Sequence, residues 1–301
     1  MTFEIPEFDP RATRRAVRRG VVRTATLVLG VLTVLALVAT VGSHLVQTRG
    51  LREHRMVSVL GTALQIAKPA YAVTATTCCE TGPLSMSFTV TATPMRAYGG
   101  FGTSGGQEFT VRQNLFGGVD ELPWHQMADT SLTLALFNMG TRLQEKADVR
   151  KVLARLPQDL NALAVVEFAR PLAGADLLGF TRRYDACPEK VVYETRPGSA
   201  PITWGTGMGA PARSGGIVCS DAPPGELAAF RAWVATLQDH DEGNLRRFDL
   251  SLDRLRKAAK GGLAYGYVGQ IVTVERLRRI IEDPLVRTVR LVDVTFDLNR
   301  P

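Results

Sequence analysis

Three stretches of this sequence hold residue types that do chemistry. Gly102-Thr103-Ser104-Gly105-Gly106 has the G-x-S-x-G spacing of a serine-hydrolase elbow, and His125 and His240 are the histidines that follow it. That chemistry needs a strand before the serine, a helix after it, and a base oriented by an acid. Ser104 instead sits in the glycine loop "AYGGFGTSGG", which runs into the strand-like "QEFTV", so the residues read as loop. "QDHDEGN" (238–244) gathers Asp239, His240, Asp241 and Glu242, but its acids are consecutive rather than alternating as in a calcium loop. They read as turn and helix-cap residues. "WGTGMGAP" (204–211) is glycine-rich but runs into Pro211 rather than a helix, which argues against a phosphate cradle. Trp124 and His125 in "ELPWHQM" read as a packed aromatic beside a proline. Nothing here joins a general acid, a base and a nucleophile. The chain reads as a non-enzyme with no cofactor and no metal.

Four cysteines remain. None stands in a C-x-x-C or beside a histidine at zinc spacing. Cys187 and Cys219 bracket a Gly/Pro-rich loop, so a bridge between them would staple it in an oxidising compartment. Closing a loop of that length would remove unfolded-chain entropy on the order of 3–4 kcal/mol. The adjacent Cys78 and Cys79 read as two buried thiols, because a bridge between neighbours closes a strained ring.

The elements that must position these residues begin with an apolar run. From Thr24 through Leu35 to Val46 there are 23 residues without an acid, Lys or Arg, and His44 is the one titratable group. At about 1.5 Å per residue such a helix covers roughly 35 Å, enough for a hydrocarbon core of about 30 Å. A cleaved secretory signal, cut near Val41-Gly42-Ser43, has a shorter apolar stretch of about 7–15 residues, and a retained span fits better. Arg11, Arg14, Arg15, Arg18, Arg19 and Arg23 precede the run, while Arg49, Arg52 and Arg55 follow it. Six against three puts the N-terminus in the cytoplasm and the bulk of the chain outside.

Charge points the same way. The net charge is +7, of which the first 23 residues carry +3, six arginines against Glu4, Glu7 and Asp9. The remainder is spread thinly, with no basic stripe interleaved with aromatics, so the reading excludes nucleic acid as a partner. An Arg-rich segment beside a span suits anionic headgroups.

The remainder divides by pattern. Residues 1–23 are an Arg-rich tail, 24–46 the span, and 47–70 a helical stalk ended at Pro69. A β-rich region covers 71–157, with strands in "YAVTATTCC", "LSMSFTVTATPM", "EFTVRQN" and the alternating "SLTLALFNM", then a helix over 141–155. In 158–301 the order is strand, helix, strand, then a Gly/Pro loop, two helical stretches (224–238 and 244–260), and again strand, helix, strand. Strand 161–170, helix 174–183 and strand 189–195 echo strand 263–272, helix 273–283 and strand 287–296. Two such units make an α+β domain of ferredoxin-like arrangement, one sheet with helices on one face.

The C-terminal text resembles the sigma factor regulator C-terminal domain of bacterial membrane-bound anti-sigma proteins. The residues that carry this are "LAVVEFARPLAGADLLGF" (163–180), "VVYETR" after it, and "LAYGYVGQIVTVERLRRIIEDPLVRTVRLVDV" (263–294). The basic tail entering one span, "RRAVRRGVVRTATLVLGVLTVLALVATVG", is similar to the N-terminal domain of the same proteins. The resemblance implies a single-pass membrane regulator of an extracytoplasmic-function sigma factor. Arg14, Arg15, Arg18, Arg19 and Arg23 would then face the membrane or that partner. The sequence departs from the family's pattern in having about 23 cytoplasmic residues and no zinc anti-sigma motif, so its tail would bind as a peptide. A homo-oligomer is compatible with this reading. The readings from other classes are an envelope serine hydrolase using Ser104 with His125 or His240, and an envelope structural protein that is merely anchored.

Overall fold

The computed structural model describes residues 10–48, 52–82, 84–97, 105–120, 122, 127–141, 144–205 and 222–296. Within them the protein is mixed α+β, with an apolar N-terminal helix and two antiparallel sheets. Helix α1 (Pro10–Thr48) is continuous from the arginine-rich segment through the apolar run. Its leucines and valines from Val17 to Val41 face outward, with Leu35 58% exposed, so the protein itself covers none of them.

After α1 come α2 (Arg52–Met56), one π turn over Val57–Gly61, and α3 (Thr62–Ala67). The expectation for this stretch is a helical stalk. It is helical, but it is built into the domain: Met56, Val59, Leu60, Ala63, Leu64 and Ile66 are all buried. The reason lies in the spacing, since apolar residues recur at intervals of three and four, the pattern of a helix that packs on one side.

The first sheet has the order β1 (Tyr71–Thr81), β2 (Ser85–Pro94), β3 (Gln107–Asn114). Phe88, Val90 and Ala92 face the core together with Phe109 and Val111, while Thr110 and Arg112 face solvent. That is the period of two expected of a half-buried strand. "SLTLALFNM" departs from its strand-like alternation and forms α4 (Ser131–Phe137). Thr130 and Thr133 form a reciprocal cap at its start, and Leu132 and Leu136, four apart, are buried. The cap and this spacing of four compete with the alternating pattern. α5 (Lys146–Arg155) follows.

The second sheet is built from β4 (Asn161–Leu172), β5 (Pro188–Glu194), β6 (Ile202–Gly205), β7 (Ala264–Thr273) and β8 (Val286–Thr295), in the order β6-β5-β7-β4-β8. All its pairings are antiparallel. The expected strand–helix–strand units are present: α6 (Gly174–Tyr184) joins β4 to β5, and α10 (Val274–Glu282) joins β7 to β8. β6 lies in what reads as loop, its two apolar inward residues, Ile202 and Trp204, flanked by glycine and proline. Between β6 and β7 run α7 (Ala222–Thr236), α8 (Glu242–Arg247) and α9 (Leu252–Gly261). The helix expected over 244–260 breaks in two at Asp249, which takes φ 55° between buried Phe248 and Leu250. Burying both flanking side chains requires the chain to turn there.

β4 is buried on both faces over its first eight residues. One face meets α6 through Phe168, Phe180 and Tyr267, and Tyr193 of β5 stacks on Phe230 of α7 at 5.2 Å. On the opposite face, α4 lies over β4 and β8, and α3 touches both β6 and β1. The segment that leaves α1 is therefore a central element of the domain.

Candidate functional site: the junction between the apolar helix and the domain

One helix near the N-terminus, over Thr13–Gly42, is long and apolar enough to cross a membrane. Its threonines return their hydroxyls to the helix, Thr33 Oγ1 to the Leu29 carbonyl at 2.8 Å and Thr40 Oγ1 to that of Ala36 at 3.0 Å. In a lipid setting that leaves few polar groups exposed along the side of the helix. Thr24 is an exposed residue of this helix, and Val46 lies near its C-terminal end. Arg14, Arg15, Arg18, Arg19 and Arg23 are exposed along its first turns.

Where α1 gives way to α2, the chain is tied to the domain by charge. Arg52 donates to the carbonyls of Asn114 and Leu115 at 2.9 and 3.0 Å, at the turn after β3. Arg55 donates to Asp241 Oδ2 at 2.7 Å and to the Thr236 carbonyl at 3.1 Å. Trp233 Nε1 donates to the Ser58 carbonyl inside the π turn. That turn carries one residue more than an α turn, a site where helices take up functional irregularity.

At the far end of the helical segment stands Lys190 of β5. Its ammonium donates to the carbonyls of Pro69 and Tyr71 at 2.9 and 2.7 Å, closing the joint between α3 and β1. Burial pulls its pKa down to about 8, while neighbouring Glu189 acts weakly the other way. Helix and sheet thus meet across a buried cation whose donors are spent on backbone oxygens. Lys190 is buried because the chain between α3 and β1 crosses its face of β5.

A cleft of about 740 Å³ opens beside the junction, with Arg52, Arg55, Val59, Phe116 and His240 among its walls. A second, of about 460 Å³, lies between Tyr71, Arg96, Asp129 and Asp293 at the end of β8.

The other residues singled out above fall as follows. Asp241 is buried and takes Arg55, and it also accepts from the Gln238 backbone N–H at 2.8 Å. His240 is exposed, 3.5 Å from Asp241. The Leu252 N–H, at 2.8 Å, holds the Glu242 carboxyl below its usual range, and Arg246 adds to this. Asp239 pairs with Arg256. The "QDHDEGN" acids are thus spent on caps and ion pairs. No group of three or more His, Cys, Asp or Glu placed to hold a metal occurs among the described residues. Ser104, Trp124, His125 and Cys219 lie outside the described residues, as does 206–211. Cys187 is disulfide-bonded.

Cys78 and Cys79 are corrected by the structure. They are bonded to each other, and Cys78 is exposed rather than buried. β1 is an edge strand, and past Val73 it is exposed except at half-buried Cys79 and Thr81. Its register against β2 slips between Cys78 and Glu80, at the bonded pair.

Sequence reasoning missed one buried charge cluster entirely. Glu167 of β4 accepts from Arg287 at 2.9 Å, Arg290 at 3.2 Å and the Gly140 N–H at 3.1 Å. Arg290 also donates to the Asn138 carbonyl, so the cluster clamps the C-terminal end of α4 onto the sheet. The acid in the middle of "LAVVEFA" was the available signal: a charge amid a fully apolar strand requires partners.

No family model, curated protein or solved structure matches this chain.

Proposed function

We propose that this protein is a single-pass membrane regulator whose α+β domain responds to a condition or ligand outside the cytoplasm and passes that response through α1 to the Arg-rich tail. The single observation that carries this is the burial of residues 56–66 in the domain core, immediately after the apolar helix. A domain that is merely tethered needs only a flexible linker. Here a shift of α3 would reach α2, four residues along the chain from the end of the apolar helix, because Arg55, Ser58 and Lys190 tie the segment to three different parts of the domain. Packed interfaces of this kind have discrete arrangements rather than continuous deformation, which suits a relay.

The orientation we assign, tail in the cytoplasm and domain outside, rests on the six arginines before the apolar run against three after it. For the 158–301 region we assign a ferredoxin-like arrangement, supported by the strand order β5-β7-β4-β8 with β6 added at one edge. The partner in the cytoplasm is an extracytoplasmic-function sigma factor, held as a helical peptide interaction by Arg14, Arg15, Arg18, Arg19 and Arg23. This part rests on the family resemblance of 163–180 and 263–294.

A photoreactive residue in place of Val17, in the full chain expressed in cells, tests the partner. Capture of a sigma factor is expected. Capture of lipid alone, from a protein that reporter fusions after residue 60 place outside, would overturn the sigma-factor assignment and leave the anchor standing.

A further inference from the structure

Phe116 is 95% exposed and Leu84 66% exposed. The two share one end of the first sheet, where the Leu115 N–H donates to the Leu84 carbonyl at 2.8 Å. Phe116 is not on a slack loop. Asn114 Oδ1 accepts from the backbone N–H groups of Phe116 and Gly118 at 3.0 and 2.9 Å. The Gly117 carbonyl accepts from Gln113 at 2.6 Å and from Asn244 at 2.8 Å, and Gly117 takes φ +87°, which favours glycine. A large apolar ring is thus held out in a fixed position by a turn with every link made.

The place of that turn is set by covalent reach. Arg52 bonds the carbonyls of Asn114 and Leu115, the residues just before Phe116. From Thr48, the last residue of α1, to Arg52 is four residues, which can span at most about 14 Å. The polar zone on each side of a bilayer is about 5–7 Å deep, and apolar side chains of surface-bound elements sink about 5–10 Å into the boundary. Arg52 lies in that reach and exposed Arg112 stands two residues before Asn114, where cations meet lipid phosphates.

We infer that the Leu84 and Phe116 turns form a docking tip that inserts into the lipid interface of the membrane crossed by α1. The inference rests on the reading of α1 as a membrane span and adds a second attachment to it. It commits to lipid as the occupant because the tip is tethered beside the point where the chain leaves the span. Two attachments would fix the tilt of the domain on the bilayer, and a change at the tip would bear directly on α2 through Arg52.

The test uses the full chain in vesicles whose lipids carry bromine at a shallow or a deep acyl position. Phe116→Trp is compared with the parent protein, so that emission from Trp124, Trp204 and Trp233 cancels in the difference. Substitution at so exposed a site leaves the core untouched. Leu35→Trp, in the apolar helix, is the control. The expected result is loss of the Phe116→Trp difference emission with shallow bromine, and loss of the Leu35→Trp emission with deep bromine. Quenching at Leu35→Trp with none at Phe116→Trp would overturn the docking tip while leaving the span intact. A blue-shifted Phe116→Trp emission that bromine does not quench, and that depends on protein density, would show that a second protein copy covers the tip and would overturn it too. No quenching at either position would remove the anchor reading and the tip with it.

Discussion

Replacing Lys190 by Met gives a test of the helix–sheet joint that is read in the pH dependence of stability. The ammonium of Lys190 is buried, and burial lowers its pKa from 10.5 to about 8. Each unit of that difference is about 1.4 kcal/mol, so keeping the charge in the folded state costs about 3 kcal/mol wherever it is fully protonated. The sign follows from proton counting. Between pH 8 and 10.5 the unfolded chain holds this proton and the folded chain has released it, so stability rises with pH through that window. Between pH 8 and 10 the gain is about 2 kcal/mol, which at about 2–4 °C per kcal/mol for a domain of this size is a rise in Tm of about 4–8 °C. Tyr71, Tyr184, Tyr193 and Tyr267 oppose it in wild type and variant alike from about pH 9 upward, because burial raises their pKa and the folded state then keeps protons that the unfolded chain loses. Burial also lowers Lys146, so the wild-type curve carries a second contribution of the same sign. The difference between wild type and Lys190→Met isolates the one residue. Met also leaves the Pro69 and Tyr71 carbonyls without this donor, at about 1–3 kcal/mol each, which roughly offsets the charge burial removed. The variant's Tm at pH 7 therefore decides nothing, and its slope decides everything. Thermal melts of the full chain in detergent, followed by circular dichroism from pH 7 to 10, make the measurement. An equal rise in wild type and Lys190→Met would refute the buried charge at the joint.

Glu167→Gln should cost about 3–5 kcal/mol, because Arg290 is left buried with its charge uncompensated, and urea midpoints of the full chain in detergent would show it. Arg196→Ala, which removes an exposed partner of Asp249 at 3.4 Å, should cost under about 1 kcal/mol in the same assay; equal effects would contradict the burial argument. Alkylation of the native protein without reductant should leave Cys78, Cys79 and Cys187 unlabelled, and peptide mapping after reduction should label all three. Free thiol at these positions in membranes from cells would place the domain in a reducing compartment and reverse the proposed orientation. Gly266→Ala should destabilise by about 1–3 kcal/mol, since a Cβ there would meet the Val166 carbonyl and Met139 Cε, and hydrogen exchange along β4 would report it.

The sequence by itself determined what depends on short-range pattern. The apolar run from Thr24 to Val46 dictates a long helix, because 23 residues without an acid, Lys or Arg and without Pro leave nothing to interrupt one. The Thr273 cap and the apolar spacing of Val274, Leu277 and Ile281 dictate α10, and the alternation in β2 and β3 dictates a half-buried sheet. Tertiary structure decided what depends on partners far along the chain. Whether residues 52–67 stand free or lie in the core turned on Asp241, Trp233 and Lys190, which are more than a hundred residues away. Glu167 and Arg290 look like stray charges until β4 and β8 pair and bring them together, 123 residues apart. Cys78 and Cys79 turned on a register slip that alternation cannot announce. "SLTLALFNM" has both the strand period and a helix cap, and only its packing against β4 and β8 selects the helix. Periodicity reports which way a side chain would face within its own element. It is silent on what the rest of the chain lays over that face, and in this protein the junction that joins the apolar helix to the domain is made almost entirely of such coverings.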